Sequence, residues 1–136
     1  TSAWGINHVI GSQYSDEITG NSYANWIYGL GGNDTLRGGY GNDFLKGGVG
    51  HDDLFGDDGI DTLWGESDND YLHGGYDGDK DVLWGGSGSD TFVRDFYYGL
   101  VKSPYGYSYY GWIEDARESN RKDFNAKDDV FANYYH

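Results

Sequence analysis

The sequence lacks several residue types on which common folds and sites depend. It contains no cysteine and no methionine, and its single proline is Pro104 among 136 residues. Without cysteine, neither a disulfide framework nor a thiolate metal site can form. No run of 18 apolar residues occurs, so the sequence offers no membrane-spanning helix. The chain starts at Thr1-Ser2 without a signal-peptide pattern, and we expect it to be part of a longer polypeptide.

Basic residues are scarce, and the acidic ones are concentrated in one part of the chain. The sequence has 23 Asp and Glu against nine Lys and Arg, which gives a formal net charge of −14. Residues 11–93 hold 16 of these acids and three of the bases, a net charge of −13. An acidic surface repels nucleic acid and anionic membranes, and it attracts cations. We therefore expect no nucleic-acid partner.

Glycine is abundant, with 24 residues, and its spacing is periodic. A nine-residue unit recurs through residues 2–93, and its clearest copy runs from Gly38 to Lys46. Position six of the ten units is Asn7, Asp16, Asn25, Asp34, Asp43, Asp52, Asp61, Asp70, Asp81 and Asp90. Position eight is apolar in every unit: Val9, Ile18, Ile27, Leu36, Leu45, Leu54, Leu63, Leu72, Leu83 and Phe92. Ten apolar residues in ten places indicate a repeat architecture.

The unit resembles the glycine-rich nonapeptide repeat of RTX (hemolysin-type calcium-binding) proteins, G-G-x-G-x-D-x-U-x with U apolar. The resemblance is strong over residues 29–93 and weaker before them. It implies an all-β fold, a right-handed parallel β-roll of about five two-unit coils, in which successive strands alternate between two sheets. We divide the chain into degenerate N-terminal repeats (1–28), calcium-binding repeats (29–93) and a C-terminal, aromatic-rich capping segment (94–136).

The chemistry of the turns favours calcium. Ten apolar side chains make a thin core, and aspartates stacked along the turns repel one another. Backbone carbonyls together with carboxylates suit Ca²⁺ better than Mg²⁺, and a site without cysteine or clustered histidine suits softer metals poorly. By the resemblance, each ion lies between the turns of one unit and the next but one, and we expect five or six ions.

The resemblance implies four well-matched sites and leaves others open. The implied ligand sets are Gly29, Gly31 and Asp34 with Gly48, Gly50 and Asp52; Gly38, Tyr40 and Asp43 with Asp57, Gly59 and Asp61; Gly47, Val49 and Asp52 with Glu66, Asp68 and Asp70; and Gly65, Ser67 and Asp70 with Gly86, Gly88 and Asp90. Asp61 with Asp81 spans a two-residue insertion, and Asp16 with Asp34 has Tyr14 where glycine is expected. Between Asn7 and Asn25 we expect no ion.

The last 43 residues depart from the repeat and are rich in tyrosine. We expect a strand over residues 105–113, a short helix over 114–122 and a final strand over 128–131. One interpretation is a cap that closes the open edge of the roll. The other is a surface that binds polysaccharide or cell-surface glycan through aromatic side chains. Its candidate residues are Trp64, Trp84, Tyr107, Tyr109, Tyr110 and Trp112.

Catalytic patterns are absent from the sequence, so we expect no enzymatic activity. The four histidines are far apart, and no phosphate-binding loop occurs. The resemblance implies a module exported by type I secretion that folds on calcium outside the cell or at its surface and stabilises or presents its parent protein. Two alternatives stay open, an adhesin or carbohydrate-binding module and the C-terminal part of a secreted hydrolase.

Overall fold

The structure is a computed structural model that describes residues 5, 7–77, 81–94, 96–102, 108–113 and 130–133. Every regular element in these residues is a strand. The strands are β1 (His8–Ile10), β2 (Glu17–Thr19), β3 (Trp26–Gly31), β4 (Thr35–Tyr40), β5 (Phe44–Val49), β6 (Asp53–Asp58), β7 (Thr62–Ser67), β8 (Tyr71–His73), β9 (Val82–Ser87), β10 (Thr91–Arg94), β11 (Phe96–Lys102), β12 (Ser108–Ile113) and β13 (Val130–Asn133).

Successive strands alternate between two parallel sheets. Sheet 1 has the order β1-β3-β5-β7-β9, and sheet 2 has the order β13-β10-β8-β6-β4-β2. Each strand therefore pairs with the strand two units away, and two units complete one coil. This topology, with about five coils, confirms the parallel β-roll expected from the sequence.

The apolar residues at position eight form two ladders that face each other. In sheet 1, Val9, Ile27, Leu45, Leu63 and Leu83 are paired in register. In sheet 2, Ile18, Leu36, Leu54, Leu72 and Phe92 are paired in the same way. From Ile27 to Phe92 these side chains are fully buried, and Val9 and Ile18 pack against them at the N-terminal end. The assignment of residues to the two sheets, made from the sequence, is confirmed.

The turns carry the backbone conformations that the glycines imply, including at units where another residue replaces glycine. Position two has φ of +119° at Gly48, but the same conformation occurs at Leu30 (+83°), Asp57 (+73°) and Glu66 (+85°). Left-handed conformations at such residues are uncommon and cost of order 1 kcal/mol or more. The stacking of neighbouring coils thus imposes the turn conformation even on unfavourable residues.

The chain after the repeats adds three strands. β11 and β12 form an antiparallel pair, and β13 lies parallel to β10 at the end of sheet 2. The strand expected over 105–113 is present as Ser108–Ile113, and the expected final strand is present from Val130. Strand β11 was not predicted from the sequence. The helix expected over 114–122 lies outside the described residues.

Candidate metal centre

The aspartates at position six form two rows, one along each turn edge of the roll. In the first row, Oδ1 of Asp34, Asp52, Asp70 and Asp90 accepts a hydrogen bond from the backbone N–H of Asp16, Asp34, Asp52 and Asp70, respectively, at 2.8–2.9 Å. In the second row, Oδ1 of Asp43, Asp61 and Asp81 accepts from the backbone N–H of Asn25, Asp43 and Asp61, respectively, at 2.6–2.7 Å. Each carboxylate is thus fixed by the neighbouring coil.

The second oxygen of these carboxylates is buried without a protein partner. Oδ2 of Asp34, Asp43, Asp52, Asp61 and Asp70 has no hydrogen bond, although all five residues are at most 3% exposed. A buried carboxylate oxygen without a partner is strongly unfavourable, because the charge has lost its hydration. A cation, a proton or a bound water satisfies such an oxygen, and of these a cation also offsets the charge.

Glycine at position one is needed because the carboxylate lies against its Cα. A Cβ on Gly29 would collide with Oδ2 of Asp34 and would lie 2.6 Å from the carbonyl oxygen of Gly47. A Cβ on Gly38 would collide with Oδ2 of Asp43 in the same way. The carboxylate at position six therefore lies against the first residue of its own turn.

The turns proposed to share an ion are direct neighbours in the stack. Leu30 and Gly31 are in register with Gly48 and Val49, and Glu66 is in register with Gly86. Likewise Gly39 and Tyr40 lie opposite Asp57 and Asp58, and Gly48 and Val49 lie opposite Glu66 and Ser67. All four ligand sets expected from the resemblance therefore consist of residues from adjacent turns. The assignment of individual carbonyls as ligands stays a prediction.

Some of the expected carbonyl ligands already accept a hydrogen bond between coils. The Val49 carbonyl accepts from the Gly32 N–H at 3.0 Å, and the Ser67 carbonyl accepts from the Gly50 N–H at 3.3 Å. A carbonyl oxygen has two lone pairs, so it can hold a cation and a hydrogen bond together. In the described residues, no group of three or more Asp, Glu, His or Cys side chains converges on one point. An ion here therefore depends on backbone carbonyls with at most two carboxylates.

The first coil differs from those that follow. Oδ2 of Asp16 accepts hydrogen bonds from the Ser12 backbone N–H at 2.6 Å and from the Ser12 hydroxyl at 2.9 Å. In the other row, Asn25 replaces the aspartate, and its side-chain amide donates to Oδ1 of Asn21 at 3.2 Å. Protein groups thus supply at the N-terminal end the contacts that the buried oxygens of the later coils lack.

Burial shifts the acidity of the unpartnered carboxyl groups. Loss of hydration raises the pKa of Asp43 and Asp52 to about 6, and that of Asp61 and Asp70 to about 8. The hydrogen bond from the preceding coil opposes the shift, and neighbouring aspartates add to it. Without a cation, Asp61 and Asp70 are thus protonated in the fold near neutral pH.

We expect the calcium-free chain to gain β structure on acidification. The folded-state pKa values lie above the ordinary value of 3.8, so protonation favours the fold. This contribution is fully present below about pH 4 and is lost as the pH rises through about 8. Far-UV circular dichroism in metal-depleted buffer should show more β signal at about pH 4.5 than at about pH 7.5. An equal or larger signal at the higher pH would contradict this prediction.

A second ladder, missed in the sequence analysis, runs beside the first aspartate row. Position-five side chains accept the backbone N–H of position five in the next coil, at 2.7–3.1 Å. The acceptors in this ladder are Oγ of Ser15, Oδ1 of Asn33, Nδ1 of His51 and Oδ1 of Asn69. At the other turn edge, Oδ1 of Asn42 accepts a hydrogen bond from the backbone N–H of Ile60 at 3.0 Å. The sequence signal was the asparagine at position five of three units, Asn33, Asn42 and Asn69.

The aromatic residues proposed as a ligand surface fall into two groups. Trp64 and Trp84 lie opposite each other on β7 and β9. Tyr109, Tyr110 and Trp112 belong to β12, which pairs with β11 rather than with sheet 1. Tyr107 lies outside the described residues. The structure therefore brings together Trp64 and Trp84.

The comparison with protein families matches the repeat region. The profile of the RTX calcium-binding nonapeptide repeat matches four times, at residues 10–45, 19–54, 46–79 and 55–92. The chain belongs to this RTX family. Its repeats therefore form a calcium-binding β-roll.

No curated protein matches the RTX chain at a significant level. In the part of the chain that the structure describes, no helix has the length and hydrophobicity needed to cross a bilayer.

Proposed function

We propose that this RTX chain folds on calcium, with five or six ions held along its two turn edges. The observation that carries the proposal is the series of buried Oδ2 atoms of Asp34, Asp43, Asp52, Asp61 and Asp70, none of which has a protein partner. When bound, calcium supplies the positive charge and the oxygen coordination that these atoms lack. The four ligand sets given above are the proposed sites, together with Asp61 and Asp81 across the insertion.

The role of the chain's own residues is to place oxygen atoms and to hold them apart from water. The inter-coil hydrogen bonds orient each carboxylate, and the glycines at position one leave room for it. Asp52 belongs to two adjacent sites, because it lies between Asp34 and Asp70 in the first row. Sites that share a carboxylate are expected to fill cooperatively.

We further propose that the module is secreted or displayed at the cell surface and is not an enzyme. Calcium is scarce inside cells and near millimolar outside, so calcium-driven folding would delay folding until export, by type I secretion. The folded roll would then stabilise or present its parent protein. The proposal is supported by the family and by the charge of −13 over residues 11–93, which opposes collapse without cations.

The number of bound ions tests the proposal directly. We expect five or six calcium ions per chain after gel filtration in millimolar calcium, measured by inductively coupled plasma mass spectrometry. Magnesium in place of calcium should give at most weak retention, because Mg²⁺ gives up its water reluctantly. Two or fewer calcium ions per chain would contradict the assignment of the aspartate rows as metal sites.

A further inference from the structure

The outward side of sheet 1, here called the aromatic face, carries more aromatic side chains than the outward side of sheet 2, where Phe55 and Tyr71 form a smaller group. The outward residues of its strands include Trp26, Tyr28, Phe44, Trp64 and Trp84, which alternate with the buried ladder. Several of these rings touch: centroids of Tyr28 and Phe44 are 6.0 Å apart, and those of Phe44 and Trp64 are 5.3 Å apart. Trp26 is 50% exposed and Trp64 is 40% exposed. Contiguous exposed aromatic surface of this kind marks a binding site more often than chance exposure does.

The aromatic face has no net charge, although the chain is strongly acidic. Among the outward positions of β1, β3, β5, β7 and β9, the charged side chains are Lys46 and Glu66. These two form an ion pair with 2.8 Å between Nζ and Oε1. The outward side of sheet 2 is different, because it carries Glu17, Arg37 and Asp53. The acidic charge of the repeats is thus kept away from the aromatic face.

The aromatic face contains a cleft at its C-terminal end. Trp64 and Trp84 are in register on adjacent strands, and together with Glu66, Ser67 and Gly86 they line a cavity of about 510 Å³. Gly86 has no side chain, and it leaves the cleft open beside the two indole rings. The cleft thus combines two aromatic walls with a carboxylate and a hydroxyl at one end, the combination typical of small-molecule sites.

We propose that the Trp64–Trp84 cleft binds a neutral glycan chain. A pyranose ring presents C–H groups on its faces and hydroxyl groups at its edges, so the indole rings can cover the faces while Glu66 and Ser67 bond the hydroxyls. Adjacent strands are ~4.8 Å apart, which is comparable with the length of one sugar unit. The two tryptophans can therefore contact consecutive units of one chain.

Charge selects the class of glycan. Lys46, the one basic residue on the outward positions of the described sheet-1 strands, is already paired with Glu66. The chain as a whole carries −14, so a polyuronate or sulfated glycan would be repelled on approach. A neutral hexose polymer meets no such repulsion, and it matches the face, whose net charge is zero.

The insertion of two residues into the unit at 74–84 leaves the pairing of the two tryptophans intact. Trp64 and Trp84 are 20 residues apart instead of 18, yet they remain opposite each other. The cleft exists only where coils stack, so this inference rests on the proposed calcium-driven folding. Glycan binding should consequently disappear with calcium and return with it.

The test uses the full chain in millimolar calcium with three probes: cellohexaose, mannohexaose and hexagalacturonate. Isothermal titration calorimetry gives the dissociation constants, and tryptophan fluorescence reports on the indole rings. We expect at least one of the two neutral hexasaccharides to bind and hexagalacturonate to bind at least tenfold more weakly. Trp64→Ala and Trp84→Ala should each weaken binding about tenfold or more, as for a buried aromatic contact in a binding site.

Trp26→Ala is the matched control, because Trp26 is an exposed tryptophan of the same face outside the cleft. It should leave affinity within about twofold, since it removes no contact in the cleft. Each variant is first titrated with calcium and followed by circular dichroism. If an alanine variant does not fold, Trp84→Leu preserves apolar bulk, removes the ring and takes its place.

Three outcomes would overturn the glycan site: no binding of either neutral hexasaccharide, binding of hexagalacturonate as tight as theirs, or equal losses in Trp26→Ala and the cleft variants. The two proposals can fail separately. A chain that needs calcium to fold but binds no neutral glycan overturns the cleft assignment alone. A chain that folds and binds glycan in EGTA overturns calcium-driven folding and leaves the cleft assignment intact.

Discussion

Chelation of calcium by EGTA at neutral pH is expected to abolish most of the β signal of this chain. Each ion bound at 100 times its dissociation constant adds ~2.7 kcal/mol to the free energy of unfolding. Five such ions together add ~13.5 kcal/mol, which is comparable with the whole net stability of an ordinary domain, ~5–15 kcal/mol. Without them, the fold must bury Oδ2 of Asp61 and Asp70 either charged or protonated. Far-UV circular dichroism during a calcium titration measures the effect.

Two features of that titration separate calcium-driven folding from simple surface binding. The transition should be steeper than a single-site isotherm, because neighbouring sites share carboxylates. Magnesium added to the chelated chain should not restore the signal, which controls for general screening of the acidic charge. Full β signal in EGTA at neutral pH would rule out calcium-driven folding.

Asp52→Asn is expected to raise the calcium concentration at the folding midpoint about tenfold or more, equivalent to about 1.4 kcal/mol for each ion taken up on folding. Asparagine keeps Oδ1, which accepts a hydrogen bond from the Asp34 N–H. It replaces the unpartnered Oδ2 with an NH2 group, which cannot coordinate a cation. Asp52 belongs to two proposed sites in the middle of its row. In a linear stack, a break at the centre separates the two halves.

Asp16→Asn is the matched control, because it makes the same substitution at the end of the same row. Oδ2 of Asp16 already accepts two hydrogen bonds from Ser12. Its replacement should disturb those local contacts and leave the calcium midpoint within about threefold, because Asp16 is only partly buried and lies at the end of its row. Equal shifts in the two variants would contradict the distinction between the first coil and the central coils.

The fold of the repeats could be predicted because each unit repeats the same local solution. Once strands alternate between two sheets, an apolar residue at position eight, such as Leu45 or Leu54, is buried between the sheets. The register then follows from the spacing of 18 residues, and it survives the insertion before Leu83. The strand β11 could not be predicted in this way, because it lies beyond the last repeat. Its antiparallel pairing with β12 occurs once, so no periodic pattern in the sequence indicates it.

The candidate site was predictable in outline and not in detail. The spacing gave the two aspartate rows, since every second unit returns to the same edge. It could not give the inter-coil hydrogen bonds that occupy one oxygen of each carboxylate, or the contacts that distinguish Asp16 and Asn25 from the aspartates that follow. Those contacts depend on non-repeated residues, Ser12 and Asn21. The position-five ladder was missed because Ser15 and His51 differ in type, although each offers an acceptor atom.

Because the coils are nearly identical, the strands of the roll could pair in a shifted register. A shift of a whole strand set by 18 residues places Leu54 opposite the same kind of neighbour and Asp52 opposite another aspartate, so the repeats alone barely distinguish the correct frame from its neighbours. The irregular units break this ambiguity. Asn25 has no carboxylate to offer a misplaced partner, and the 20-residue spacing between Asp61 and Asp81 fits in one place only. The exceptions to the repeat therefore favour one register of the coils, a preference that a chain made of ideal units throughout would lack.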